Sequence, residues 1–82
     1  MKITVYLNRI NLLHKLLLQQ KTGTPKQLAK KLRISESRLY AILQELRLHS
    51  VPIKYDRKKK TYHYYKSFKM QASLILETIN EK

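Results

Sequence analysis

Thr22-Gly23-Thr24-Pro25-Lys26-Gln27-Leu28-Ala29-Lys30-Lys31-Leu32-Arg33-Ile34-Ser35-Glu36-Ser37-Arg38-Leu39-Tyr40 is the stretch on which the fold turns, because two helix starts are written into it. Gly23 is the only glycine in 82 residues and marks a break. Behind it Thr24 suits an N-cap. Pro25 takes the first helical position, where a missing N–H costs nothing, and Gln27 stands where it closes a capping box. The helix so opened carries Leu28, Ala29 and Leu32 inward and is expected to end at Leu32 or Arg33. Ser35 then offers a second N-cap, and Glu36 favours a first turn where the backbone dipole is positive.

Downstream, the helix that Ser35 opens runs to Leu46 or Arg47. Leu39, Ile42, Leu43 and Leu46 fall on one face. At 3.6 residues per turn the opposite face carries Ser37, Ala41 and Gln44, flanked by Arg38, Tyr40 and Glu45, with Leu48 near its far end. Small and hydrogen-bonding side chains there allow close approach to another surface. Upstream, Tyr6, Ile10, Leu13 and Leu17 share one face of a helix over about residues 5–20. Leu12, Leu16 and Leu18 widen that stripe, so contact on more than one side is expected. Alternation over residues 3–7 also permits a short strand.

After Ser50 the period changes. Ile53 and Tyr55 share one side of an extended segment that Pro52 opens, and Tyr62 and Tyr64 share one side of another. Arg57, Lys58, Lys59 and Lys60 lie between them, which reads as a β-hairpin with a basic tip. Ala72, Ile75, Leu76 and Ile79 then suggest a short C-terminal helix. The expected fold is mainly α with a small β-hairpin: a winged helix-turn-helix with a three-helix core, a wing and that last helix. Residues 1–66 form the domain, and residues 67–82 an extension that packs on the core or mediates dimerisation.

Composition narrows the function. Eighteen Lys and Arg against five Asp and Glu give a formal charge of +13, so the partner should be negative. Nucleic acid leads, before an acidic protein or an anionic membrane surface. A hydrophobic fraction of 43% is too high for a disordered basic tail. With no cysteine, the chain has neither disulfides nor thiolate metal sites. No apolar stretch approaches a membrane span and no targeting segment is visible, so a cytoplasmic location is expected. His14, His49 and His63 sit on separate elements, where packing or surface roles outweigh metal ligation. No nucleophile has an evident base and there is no glycine-rich phosphate loop. An enzyme is the least expected class, and no cofactor is expected.

A helix-turn-helix leaves its last helix free to enter a DNA major groove, about 12 Å wide. On that reading Ser37, Arg38, Tyr40, Ala41 and Gln44 face the bases. Gln44 suits adenine and Ala41 a thymine methyl. Arg38 reaches guanine or a phosphate, and Tyr40 either bonds a phosphate or packs at the helix edge. Lys26, Lys30, Lys54, Arg57, Lys58, Lys59 and Lys60 are the phosphate candidates, with the hairpin tip on the backbone or in a minor groove. A lysine run in isolation is as readily a solvated turn; Lys31 and Lys66 add to the charge around it. Three other uses are open to such a chain: docking of an acidic protein on a winged helix, single-stranded RNA stacked on Tyr62, Tyr64 and Tyr65, and a homodimer on two DNA half-sites. Ile75, Leu76 and Ile79, or an exposed part of the first helix, either supply the dimer interface or cover the monomer core.

Residues 22–40, continuing through Leu43 and Leu46 to the segments 52–57 and 62–65, resemble the winged-helix domains at the N-termini of bacterial transcriptional regulators of the DeoR-like and related classes. The Leu-Ala-x-x-Leu-x-Ile-Ser core from Leu28 to Ser35 carries most of the likeness. The resemblance covers about three-quarters of the chain and implies sequence-specific double-stranded DNA binding, with residues 36–47 as recognition helix and 57–60 as wing. Arg33 and Ser50 depart from it, standing where glycine is usual, and imply strained corners. Such regulators usually continue into a ligand-binding or oligomerisation domain, whereas 16 residues follow Lys66 here.

Overall fold

The computed structural model describes residues 3–68. It contains α1 (Ile3–Gln19), α2 (Pro25–Leu32), α3 (Glu36–Leu48), β1 (Ile53–Asp56) and β2 (Thr61–Tyr64) in that order. This is a three-helix core with a small antiparallel hairpin, the topology of a winged helix-turn-helix. The C-terminal helix expected from Ala72 to Ile79 lies outside the described residues.

Local signals act as their chemistry requires. The Thr24 hydroxyl accepts from Gln27 N–H at 3.3 Å, and Gln27 Oε1 accepts from Thr24 N–H at 2.9 Å, so the capping box is complete. Ser35 Oγ accepts from Arg38 N–H at 3.0 Å and starts α3. Gly23, at φ 77°, is required as glycine: the backbone is left-handed, and a Cβ would run into Gln27 Oε1 and break the box. The segment 3–7 is helical rather than extended, because Tyr6 belongs to the stripe that α1 buries.

All three helices end in the same way. Gln20 (φ 54°), Arg33 (φ 59°) and Ser50 (φ 66°) are left-handed non-glycine residues immediately beyond α1, α2 and α3 or one position on. After each, the next N–H reaches back five residues: Lys21 to Leu16 O, Ile34 to Ala29 O and Val51 to Leu46 O, each at 3.0 Å. This is the Schellman arrangement, and in the last two cases it brings an apolar pair into the core. The departures noted at Arg33 and Ser50 are therefore real left-handed corners, and Gln20 is a third. A left-handed L-residue costs about 1–2 kcal/mol, part of which glycine returns in chain entropy. Arg33→Gly is therefore expected to stabilise the domain by about 0.5–1 kcal/mol, raising Tm by roughly 2–8 °C. A lowered melting temperature in calorimetry would contradict this.

The core is one layer. Tyr6, Ile10, Leu13 and Leu17 of α1 meet Leu28, Ala29 and Leu32 of α2 and Leu39, Ile42, Leu43 and Leu46 of α3; Val51, Ile53 and Tyr62 close it. Leu16 packs against its edge, but Leu12 and Leu18 remain substantially exposed among the described residues. Among the described residues the α1 stripe is therefore covered along Tyr6, Ile10, Leu13 and Leu17, with Leu16 at the edge. The hairpin pairs Ile53 with Tyr64, Lys54 with His63, Tyr55 with Tyr62 and Asp56 with Thr61. Tyr55 and Tyr62 rings meet at 4.8 Å, so cross-strand aromatic packing holds the register.

Candidate nucleic-acid interface

With Leu39, Leu43 and Leu46 buried, the outer face of α3 is free of the protein's own described segments. Ser37, Arg38, Tyr40, Ala41 and Gln44 are all exposed. The two flanks of this face differ. On one, Arg38 and Glu45 lie near the Tyr6 hydroxyl of α1, whose pKa burial pushes up while the Arg38 charge opposes that rise. On the other, α3 meets the hairpin. Arg47 Nε donates to Ile53 O at 3.3 Å, and Tyr40 lies within electrostatic reach of Tyr62. Burial raises the Tyr62 pKa first, and Tyr40 adds to it. Tyr40 therefore lies on the hairpin side of α3 with half its surface still open.

The basic tip has a defined shape. Asp56 Oδ1 accepts from Lys58 N–H at 2.8 Å and Lys59 N–H at 3.1 Å, and Lys60 turns the chain back at φ 53°. Those backbone hydrogen bonds, led by that from Lys59, hold the Asp56 carboxyl below its ordinary pKa. The Asp56 carboxylate is thus committed to the backbone, while Arg57, Lys58, Lys59 and Lys60 extend into solvent. Lys54 is exposed on the hairpin, opposite His63. Lys26 and Lys30 are exposed one turn apart on α2. Lys31 behaves differently: its ammonium donates to Lys21 O at 2.8 Å and Thr22 O at 3.3 Å, tying the α1–α2 loop to α2.

Sequence reasoning missed the clamp that fixes the hairpin to the helices. Thr22, fully buried, and Thr61, nearly so, face each other with hydroxyls 3.1 Å apart. Tyr62 N–H donates to Thr22 Oγ1 at 2.7 Å, and Thr22 N–H donates to Thr61 Oγ1 at 3.0 Å. The loop before α2 thereby holds the edge of β2 through side chains. Two threonines separated by 39 residues give no local signal, although a threonine beside the sole glycine is a place to look. At the other end of β2, Tyr64 OH and His14 Nδ1 share a hydrogen bond of 2.7 Å. Burial pushes the Tyr64 pKa up to about 12 and lowers that of His14. His14 is thus a packing residue joining α1 to the hairpin. Among the described residues no three His, Asp or Glu side chains gather where they could hold a metal ion. No described helix is long and apolar enough to cross a membrane.

Comparison with family models, with curated proteins and with solved structures returns no match to this chain. The architecture is that of winged-helix domains in general and does not single out the DeoR-like class.

Proposed function

We propose that this protein binds double-stranded DNA in a sequence-dependent way and acts in transcriptional regulation, with α3 in the major groove and the tip at Arg57 to Lys60 on phosphates or in the adjoining minor groove. One observation carries the reading: the molecule presents an exposed helix face of small and hydrogen-bonding side chains, on a helix tied to the hairpin through Arg47 and Ile53 O, together with an ordered hairpin tip of four consecutive cations. A major groove admits an α-helix, and the basic charge suits its phosphate walls. Ser37, Tyr40, Ala41 and Gln44 are the base-facing set; Arg38, on the flank toward α1, takes the phosphate role open to it, and Lys26, Lys30 and Lys54 join the wing in holding the backbone.

Selection from a random duplex pool at about 150 mM salt, close to physiological ionic strength, tests this. Enrichment of one site, with footprints across adjoining major and minor grooves, is the expected result. A palindromic winner would add a homodimer with half-sites about 34–36 Å apart. Gln44→Ala is expected to cost about 1–3 kcal/mol at one base pair and to flatten discrimination there. Equal losses on the selected site and on random duplex would remove Gln44 from the base-reading set. Exposure of Leu48 at the end of α3 favours a second use of the same surface, docking of an acidic protein. That use predicts no enrichment from the pool.

A further inference from the structure

Leu48 is 72% exposed, the most open of the large apolar side chains among the described residues. It is not an isolated surface leucine. At 3.6 residues per turn, Ser37, Ala41, Gln44 and Leu48 lie within a sector of about 60° along the outer side of α3. They form a line rising about 16 Å, which matches roughly five base-pair steps. The flanking cations do not enter it. Arg47 is turned to Ile53 O on the hairpin side, and Arg38 lies on the α1 side near Tyr6.

The chemistry of that line discriminates between base pairs. Guanine in the major groove presents two acceptors and is matched best by Arg or Lys, neither of which stands on the line. Adenine presents a donor and an acceptor, which Gln44 can satisfy together, and thymine presents a methyl group. Ala41 and Leu48 lie three residues before and four after Gln44, on the same side. They are apolar groups placed to cover methyls next to the base that Gln44 contacts. Leaving Leu48 in water costs solvation that a methyl contact would recover.

We propose that the outer line of α3 selects A·T base pairs by their thymine methyls, with Leu48 a base-contacting residue beside Ala41 and Gln44. This rests on the DNA-binding reading above and names its ligand class as A·T-rich duplex read from the major groove. The preference differs from one arising at the hairpin tip, because a minor groove also distinguishes A·T from G·C but carries no methyl.

Replacement of thymine by uracil separates the two, since it deletes only the major-groove methyl. The full 82-residue chain and its Leu48→Ala variant would be titrated against three labelled duplexes: A·T-rich, the same sequence with uracil for thymine, and G·C-rich. The wild-type chain should bind the A·T-rich duplex tightest and lose about fourfold for each contacted methyl removed, the value of burying one such group. Leu48→Ala should weaken binding to the thymine duplex about fourfold and narrow the gap to the uracil duplex by the same factor. Leu48 is solvent-exposed, so the variant folds; an unchanged melting temperature verifies this. Equal affinity for thymine and uracil duplexes, or preference for G·C, would overturn the proposal and leave DNA binding standing. No salt-dependent binding to any duplex would remove the DNA reading, and this proposal with it.

Discussion

Thr22→Val is expected to destabilise the domain by about 2–3 kcal/mol, although valine fits the same space. The variant keeps the volume but deletes the acceptor for Tyr62 N–H, a buried donor held at 2.7 Å. An unsatisfied buried donor costs about 1–3 kcal/mol, and the bonds to Thr61 and Gly23 go with it. Domains hold only about 0.05–0.15 kcal/mol of stability per residue, so here the loss is a large fraction of the total. Urea unfolding measures it. Thr22→Ser retains the hydroxyl and should cost less than half as much. A Thr22→Val variant as stable as the parent, with Thr22→Ser the costlier change, would show that the methyl packing, not the hydroxyl, matters. The same substitution also bears on function. It loosens the hairpin from α2 without touching any charge, so DNA affinity should fall while the salt dependence per contact stays the same.

Neutralising the wing tip should have the opposite profile. With Arg57, Lys58, Lys59 and Lys60 all changed to glutamine, stability should hardly move, because all four side chains are in solvent. Binding to every duplex should weaken alike. Each phosphate contact contributes about 0.9 to the slope of log affinity against log salt, so losing all four lowers it by roughly 3–4. Lys58→Ala alone should lower it by about one. Should six to ten contacts form in all, the unaltered protein loses ~10³–10⁵ in affinity between 50 and 200 mM salt. A slope unchanged in the fourfold variant would establish that the tip never touches phosphate. Asp56 allows a finer comparison: Asp56→Ala removes both backbone tethers of the tip while adding positive charge. Weaker binding in spite of that added charge would show that the shape of the tip matters as well as its sign.

The local code explains why so much of the fold could be read directly. Thr24, Pro25 and Gln27 start α2, Ser35 starts α3, and each acts on backbone groups within one turn. The inward leucines of α3 are fixed by helical period, so the exposure of Ser37, Ala41 and Gln44 follows from the same count. Arg33 and Ser50 were legible as corners because the resemblance places glycine there, whereas the left-handed Gln20 carried no such signal. The breadth of the α1 stripe reaches beyond the described core. Leu12 and Leu18 point to cover on further sides, and among the described residues they are exposed.

The sequence by itself determined where α2 and α3 begin, which side of α3 is left open, and that the chain carries +13 of charge, four cations of it in a row. Those features depend on groups a few residues apart or on composition, and need no knowledge of the folded partner. Only the tertiary structure decided which side of α3 the hairpin lies on, that Lys31 is tied to loop carbonyls, that His14 bonds Tyr64, and that Thr22 and Thr61 clamp the hairpin. Each of these joins groups far apart in the chain, or a long side chain to a loop it meets only after folding. The physical reason is that hydrogen bonds and electrostatic contacts are decided by distance in space, whereas caps and helical faces are decided by distance along the chain.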